Sequence, residues 1–449
     1  MGGFSARFGD SVLRPGDQRY ETERRSWHLG IDPRPAFIAE PTSTWMVRSI
    51  LLGARDEGLP VTVQSTGHGT YVPAGGVLMK TGRMNEVEID PLSRTATVGP
   101  GVRWSDVLPE AAWYGLAPLS GTAAIGVTGY TLGGGAGFLS RQYGFAADSV
   151  VRAEVVTADG RVLEVDAEHH PDLFWALRGG GGNFGIVTSL QFRLYPVRHV
   201  YAGMSIHPVE RAGQTLRVYR DWAGSEPDES NSAVTVLRMP DLPSVPEPVR
   251  GRRVLVVRAL YAGTQEAAER VLAPVLGAAG PALVNGFGAM DFAETATMTG
   301  PPPPPTAAVQ GFELIRELSD QVIDAVCADH GVAAAEVRHW GGAMGRPGLD
   351  AGPIGHRDVP FSVLSAAPYE PGGRAGAEAA VARLTRALGP AVTGGSFLNF
   401  LTDAGRTRSA YTAADYRRLA EIKAIWDPDN VFAQGHAIAP AASAVATAG

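Results

Sequence analysis

A histidine-bearing loop and two glycine-dense segments downstream of it are the parts of this sequence whose residue types and spacing suggest chemistry. The loop covers residues 64–70, with His68 near its tip, and the later segments cover 133–137 and 178–185. Glycine has no Cβ and tolerates positive φ, so consecutive amides in such loops can form a nest for phosphate oxygens. The pattern predicts backbone pressed against a large, flat cofactor that contains a pyrophosphate.

Other well-known site patterns do not match these segments. They have neither the G-x-G-x-x-G spacing of a Rossmann turn nor the G-x-x-x-x-G-K-[ST] of a P-loop, which argues against binding of NAD and against simple nucleotide hydrolysis. No Ser-His-Asp order suggests a hydrolase, and no His-x-x-x-His spacing suggests a metal site. We therefore expect no metal.

Composition narrows the class of protein. A chain of 449 residues should form more than one domain, or one large core with an inserted lobe. A net charge of −7 without a basic stripe argues against a nucleic-acid partner. No apolar run approaches the ~20 residues of a membrane span, and the N-terminus lacks a signal-like pattern, so we expect no membrane partner and a cytoplasmic location. The single cysteine, Cys327, excludes an intramolecular disulfide.

Periodicity predicts an α+β protein in three parts. Residues 36–195 alternate short strands and helices, as in a cofactor domain. After Pro196, strands with helices between them suggest an antiparallel sheet covered on one face, with a helix at 314–328. The last part, 396–432, reads as an apolar strand 397–401 and a helix 413–425. The proline run 301–305 is expected to be a stiff connector.

Taken together and in order, these segments resemble the flavoproteins with a PCMH-type FAD-binding domain and a berberine-bridge-like C-terminus. The resemblance covers nearly the whole chain and is carried by residues 20–21, Trp27, 43–57, the His68 loop, 126–135, 139–144, 172–187, 416–423 and 426–432. It implies an FAD-binding domain over 1–198, a substrate-binding domain over 199–394 and a C-terminal segment over 395–449 that packs on the FAD domain.

The resemblance also implies how FAD is held. In the family, the loop histidine bonds covalently to the flavin, and His68 matches that position; the alternative is a hydrogen-bonded loop histidine. Thr122 stands where many relatives carry a cysteine that makes a second bond, and a hydroxyl cannot replace a thiolate there. We therefore expect FAD held by a single linkage. The residues expected to contact it are Gln64, Ser65, Thr66, Gly67, His68, Gly69, Thr70, Gly121, Thr122, Ile125, Gly126, Gly129, Leu132, Gly133, Gly135, Gly137, Phe138, Tyr143, Asp148, Gly185, Ile186, Val187, Asn430 and Phe432.

Access of oxygen to the flavin is a separate expectation from the resemblance. In relatives, the residue three after the cysteine position lies over the flavin, and valine there accompanies oxidase behaviour. Here that residue is Ile125, one methylene larger. The expectation is slow reoxidation by air, unless oxygen enters past the small Ala136 instead.

The substrate side departs from the family pattern. Relatives often carry Tyr-x-Asn-Tyr where this chain has Phe397-Leu398-Asn399-Phe400, and their first tyrosine often takes part in deprotonating the substrate. Phe397 cannot accept a proton, so a base must come from elsewhere. The candidate catalytic residues are Tyr130, Glu336, His339 and Asn399, with His356 as a further candidate base, and each of them has a structural role as the alternative.

The expected function is that of an FAD-dependent oxidoreductase. It would oxidise a small molecule by hydride transfer to flavin N5, and the electrons would pass to O2 or another acceptor. The substrate would be an alcohol, an amine or an activated carbon, in a natural product or a sugar. The rival function is a non-redox cyclase or isomerase of secondary metabolism in which FAD only shapes the pocket.

Overall fold

The computed structural model describes residues 2–298, 300 and 304–442. Residues 301–303 of the expected proline connector and residues 443–449 of the expected C-terminal segment lie outside the described residues. The helices are α1 Gly2–Phe8, α2 Tyr20–Glu23, α3 Thr44–Asp56, α4 Trp104–Ala112, α5 Val127–Leu132, α6 Ser140–Tyr143, α7 Pro171–Leu177, α8 Ala212–Ala223, α9 Gln265–Ala279, α10 Asp320–Cys327, α11 Arg374–Leu388 and α12 Ala413–Trp426.

The strands alternate with these helices along the chain. They are β1 Val12–Leu13, β2 Phe37–Ala39, β3 Val61–Gln64, β4 Val77–Lys80, β5 Val87–Asp90, β6 Thr95–Val98, β7 Val150–Val156, β8 Val162–Val165, β9 Ile186–Arg193, β10 His199–Pro208, β11 Ser230–Arg238, β12 Arg253–Tyr261, β13 Val284–Asn285, β14 Gly288–Asp291, β15 Ala308–Ile315, β16 Ala334–His339 and β17 Phe361–Pro368.

Two small sheets build the cofactor half of the molecule. One has the order β1-β2-β4-β3, in which β4 runs parallel to both β2 and β3. The other has the order β5-β6-β9-β7-β8 and is antiparallel. Helix α3 begins after Ser43, whose side chain accepts a hydrogen bond from the N–H of Met46. The helix buries Val47, Ile50 and Leu51 in one apolar cluster with residues of β2, β3 and β4.

An antiparallel eight-stranded sheet builds the other half. Its main path is β13-β10-β12-β11-β16-β17-β15, and β14 pairs beside β13 on β10. Helices α8, α9, α10 and α11 cover one face, and their apolar side chains form a core with the strand residues that alternate toward them. The opposite face turns toward the cofactor half. The α+β architecture with a sheet covered on one face is confirmed.

The C-terminal segment returns to the cofactor half. Helix α12 contacts α7, and Leu419 and Ile422 of α12 join the apolar cluster that contains Phe184. No helix among the described residues is long and apolar enough to cross a membrane. The domain limits 1–198, 199–394 and 395–449 stay predictions.

Two elements differ from their sequence-based expectation. Strand β15 continues to Ile315, where the expected helix 314–328 should already have begun, because Leu314 and Ile315 pair with β17. Helix α10 starts only after Ser319, whose hydroxyl accepts from the N–H of Val322 at 3.4 Å. The expected strand 397–401 is a 3-10 turn over Leu398–Phe400, in which the backbone N–H groups bond back to the carbonyl of Phe397 instead of to a neighbouring strand.

Candidate active site

A cavity of ≈ 620 Å³ lies between the cofactor half and the open face of the large sheet. Residues 61–72 and many of the residues in 120–138 and 181–187 line it from the cofactor half, and residues 397–400, Phe432 and residues 434–436 line it from the C-terminal segment. The large sheet contributes Asn231, Arg258, Gln310, Glu336 and Arg338. The cofactor half, the large sheet and the C-terminal segment therefore all contribute residues to the same cavity.

The histidine loop follows directly from β3 and is fixed by Gln64. Thr70 donates its hydroxyl to the Gln64 side-chain oxygen at 3.3 Å. Gly67 adopts φ +76°, and a Cβ there would be 3.0 Å from the Gln64 amide nitrogen, so the turn requires glycine. The turn presents His68 to the cavity, with its ring centroid 4.6 Å from that of Trp27.

His68 faces the cavity with a ring nitrogen that has no partner among the described residues. Its Nδ1 is buried and has no hydrogen-bond partner within the protein. Burial lowers the pKa of His68, so the ring is neutral at pH 7 and keeps a lone pair. A buried nitrogen without a partner, facing a cavity, is suited to bonding with a ligand atom.

Other polar atoms in the same wall also lack partners. The hydroxyls of Ser65, Thr128 and Tyr130 are buried without a hydrogen bond in the protein, and all three residues line the cavity. Leaving a buried polar group unpaired costs about 1–3 kcal/mol, so such groups are usually satisfied. Their presence beside glycine backbone fits a cofactor with many polar atoms, such as FAD. Among the described residues no group of His, Cys, Asp and Glu could hold a metal ion.

The second glycine segment is held close to its neighbours. A Cβ on Gly137 would collide with the carbonyl of Ser120, and one on Gly126 would be 3.0 Å from the Ser65 hydroxyl. Gly135 adopts φ +73° beside the ring of Tyr130. These close approaches bring backbone amides to the cavity wall.

Comparison with known families agrees with this geometry. A family described as "FAD binding domain" matches residues 35–166, and one described as "Berberine and berberine like" matches residues 396–439. The two matches supply the two walls of the cavity that carry His68 and Asn399. The chain belongs to the berberine-bridge-like flavoproteins with a PCMH-type FAD-binding domain.

Individual relatives of this flavoprotein include oxidases. It is 37% identical over 197 residues to the (R)-6-hydroxynicotine oxidase of Paenarthrobacter nicotinovorans, a match that covers 43% of each chain. The crystal structure of 6-hydroxy-D-nicotine oxidase from Arthrobacter nicotinovorans superposes with a TM-score of 0.83 at 28% identity, covering 95% of this chain and 97% of that one. A carbohydrate oxidase from Microdochium nivale shares the fold, with a TM-score of 0.83 at 22% identity over 98% of this chain and 100% of that one.

Most of the expected FAD contacts line the cavity of the flavoprotein. The exceptions are Gly135, Tyr143, Asp148 and Asn430. Tyr143 stacks on Tyr195 with ring centroids 3.9 Å apart, and Asp148 accepts hydrogen bonds of 2.9 and 2.7 Å from Arg357. Both contacts lie outside the cavity. The Tyr143 ring packs within the cofactor half, and Asp148 connects that half to Arg357, in the segment between β16 and β17.

The candidate catalytic residues and the further candidate base His356 separate into two groups. Tyr130, Glu336 and Asn399 line the cavity, whereas His339 and His356 do not. His339 follows Arg338 by one residue, and successive strand residues face opposite sides of a sheet. Its Nδ1 lies 2.5 Å from Glu226 on the far side. His356 is engaged with the carbonyl of Ser409 at 2.8 Å.

Of the charged residues in the cavity, the sequence predicted Glu336 but not Arg258 or Arg338. Arg258 donates to one Glu336 oxygen at 3.1 Å, and Arg338 donates twice to the other at 2.7 and 3.1 Å. Burial alone would raise the pKa of Glu336, but Arg338 and Arg258 outweigh it and lower the pKa to about 2. Alternation along β16 could have paired Glu336 with Arg338. The contribution of Arg258 from β12 requires knowledge of strand order.

Proposed function

We propose that this flavoprotein is an FAD-dependent oxidoreductase that oxidises a small molecule and passes the electrons to O2 or another acceptor. The observation that carries the proposal is the cavity that joins the His68 loop to the charged face of the large sheet. Two of the relatives described above are named as oxidases of hydroxynicotine. Bound FAD would supply the two-electron acceptor for the substrate C–H bond.

The cofactor is proposed to be attached through His68 alone. Support comes from the buried Nδ1 without a partner and from the lowered pKa of His68, which leaves the imidazole neutral. Thr122 lines the same cavity and offers a hydroxyl, which is not ionised at neutral pH. The orphan hydroxyls of Ser65 and Thr128 would hydrogen-bond the cofactor and hold it against the glycine backbone.

The cavity residues favour an amine as the oxidised group. Burial raises the pKa of Tyr71 to about 12 and raises that of Tyr130 as well, so both phenols stay protonated. Glu336 is ion-paired on both oxygens, and with a pKa of about 2 it is a weak base. A neutral amine needs no such base, because its nitrogen lone pair stabilises the carbon that loses hydride. We therefore place amines before alcohols, in a natural product or a sugar derivative.

Anaerobic mixing tests the proposed function. The holoprotein is combined with a panel of secondary amines, alcohols and sugars, and the flavin absorbance is followed together with product. Bleaching by one compound class supports the proposal, and dithionite serves as the control for complete reduction. Product formed without bleaching would instead favour the cyclase or isomerase, for which the apolar Phe397 and Phe400 in the wall would be suited.

A further inference from the structure

We propose that Arg258 and Arg338 form a binding site for a carboxylate of the substrate, so that the substrate is an organic anion. The proposal rests on the proposed function for the identity of the ligand as substrate. Its structural basis is the charge and the hydrogen-bonding capacity that these two arginines leave over after pairing with Glu336.

The charges in the cavity do not balance. The charged side chains lining it in the described part of the chain are Arg258, Arg338 and Glu336, two cations against one anion. Their side chains are only 12%, 19% and 15% exposed. Burial lowers the pKa of His68 and of His436, the histidines in the wall, so both are neutral at pH 7. This cluster on the large sheet therefore keeps one positive charge that Glu336 does not neutralise, and a positive charge with little solvent around it attracts an anion.

The two guanidinium groups also keep free donors. Arg258 uses only Nη2 on Glu336, and Arg338 uses Nε and Nη2 on the other carboxylate oxygen. The Nη1 groups of both arginines, and Nε of Arg258, have no acceptor among the described residues. Arginine offers its donors in a planar fork that matches the geometry of a carboxylate.

Aromatic rings and the strand register place these two forks near each other. The Cζ of Arg258 lies 5.3 Å from the ring centroid of Phe138, and that of Arg338 lies 5.5 Å from the ring of Phe400. In the sheet, Ala233 is the partner of Arg258 on one side and of Arg338 on the other. Glu336 already accepts from both guanidinium groups, so the two forks lie close enough together for their free donors to reach one further carboxylate on the cavity side.

Benzoate is a suitable probe, because it is an anion of the right size without an oxidisable group. It is titrated into the holoprotein by calorimetry and by the difference spectrum of the flavin, with neutral benzamide as the control. We expect benzoate to bind at least about tenfold tighter than benzamide, as charge-assisted bonds to arginine are the stronger kind. The affinity should be constant from pH 6 to 9, because arginine does not titrate there.

Variants separate the proposed site from general damage. Arg258→Met and Arg338→Met should each weaken benzoate binding about tenfold or more and leave benzamide binding unchanged. Glu336→Gln should tighten benzoate binding, because it removes the one negative charge in the cluster, and misfolding cannot produce that change. The control is Arg152→Met, which removes a surface arginine paired with Glu164.

The outcome is independent of the oxidation itself. Equal affinity for benzoate and benzamide, or weaker benzoate binding in Glu336→Gln, overturns the carboxylate site even if amines bleach the flavin. Selective benzoate binding supports the site even if no compound in the anaerobic panel is oxidised, which would count against the proposed function alone. Benzoate binding that falls steeply between pH 6 and 9 would assign the positive charge to histidine and also overturn the proposal.

Discussion

The side chain of Asn399 bridges two points of the glycine segment beside the cavity. Its oxygen accepts from the backbone N–H of Gly135 at 2.9 Å, and its nitrogen donates to the carbonyl of Tyr130 at 3.0 Å. A Cβ on Gly133 would be 2.7 Å from the Asn399 nitrogen. An amide is no base at neutral pH, so this contact makes Asn399 a positioning residue that ties the C-terminal segment to the cofactor loop.

Replacing Asn399 should therefore loosen the glycine segment. Asn399→Ala leaves the Gly135 N–H and the Tyr130 carbonyl without partners, each at about 1–3 kcal/mol of unfolding free energy. Asn399→Asp should be worse, because a carboxylate would face the Tyr130 carbonyl. Denaturant titration of the holoprotein measures this, with Asn285→Ala as the matched control, because the exposed Asn285 at the end of β13 also accepts from a backbone N–H, that of Phe287. A change in Asn399→Ala no larger than in the control would contradict the positioning role.

Flavin attachment gives a second prediction. His68→Ala should release all of its flavin into the supernatant on acid precipitation, whereas the wild type should precipitate yellow. Thr122→Ala should keep the flavin attached, because the hydroxyl makes no bond to it. Absorbance of the two fractions is the measurement. Flavin retained by precipitated His68→Ala would reveal a second linkage, and flavin released by the wild type would remove the His68 linkage.

A third prediction concerns the buried ion pair at the end of α12. Lys423 donates to Asp427 at 2.5 Å, to the carbonyl of Asn183 at 2.7 Å and to that of Phe432 at 3.1 Å, and both charged side chains are fully buried. Lys423→Met leaves the Asp427 carboxylate buried without its cation and should cost about 3–5 kcal/mol of unfolding free energy.

The double variant and a surface pair give the controls for that ion pair. Adding Asp427→Asn to Lys423→Met should recover part of the loss, because the uncompensated charge is gone. Arg374→Met breaks an exposed pair with Glu378 and should cost about 1 kcal/mol or less. Chemical denaturation checks all three. Equal losses in Lys423→Met and Arg374→Met would mean that the pair does not hold α12 against the cofactor half.

Much of the fold could be predicted because the signals are local. Strands and helices follow one another after Pro196 as expected, for example β12 at Arg253–Tyr261 and then α9, which begins at Gln265 after the Thr264 cap. Alternating apolar residues and helix caps depend on neighbours in sequence. The strand expected over 397–401 was wrong, because four apolar residues around Asn399 suit a buried turn as well as a strand. Only packing against the cavity decides between them.

In the site, too, the sequence predicted the residues with local signals and missed those that depend on long-range packing. Glycines and His68 are recognisable from one short loop, and Glu336 lies in the cavity as a candidate should. His339 could have been excluded by applying strand alternation from Glu336. The position of Arg258 near Arg338 depends on β12, β11 and β16 being neighbours, which is long-range information that no local pattern contains.

A fourth prediction is that low pH lowers the free energy of unfolding because Glu336 becomes protonated. Its pKa is lowered to about 2 in the folded state from the usual 4.5, so the unfolded chain binds more protons between those values. The stabilisation is complete above pH 4.5 and is lost as the pH falls through about 2, and it amounts to roughly 3 kcal/mol. Unfolding free energy measured from pH 5 to 3 should fall less steeply in Glu336→Gln than in the wild type. Parallel slopes would mean that the two arginines do not hold the carboxylate ionised.

The last prediction is that Ile125 limits the access of oxygen. Ile125 is half-buried in the cavity wall, in the turn that its N–H closes onto the carbonyl of Thr122 at 3.1 Å. A Cβ built on Gly121 would lie 3.4 Å from the δ-methyl group of Ile125, so the Ile125 side chain packs beside the backbone of Gly121. Packed interiors have few voids larger than a water molecule, so removing one methylene changes the free space measurably. Ile125→Val should therefore open the wall and speed reoxidation by air several-fold.

Stopped-flow reoxidation of the reduced protein checks this, with a quinone as the acceptor that needs no such path. Ala136 also lines the cavity and offers the other route, so Ala136→Val is the matched variant. If oxygen passes Ile125, then Ile125→Val is faster, Ala136→Val is unchanged, and the wild type reacts more slowly with air than with the quinone. A slower Ala136→Val beside an unchanged Ile125→Val would assign the path to Ala136, because the added methyl groups would then block the route that oxygen uses.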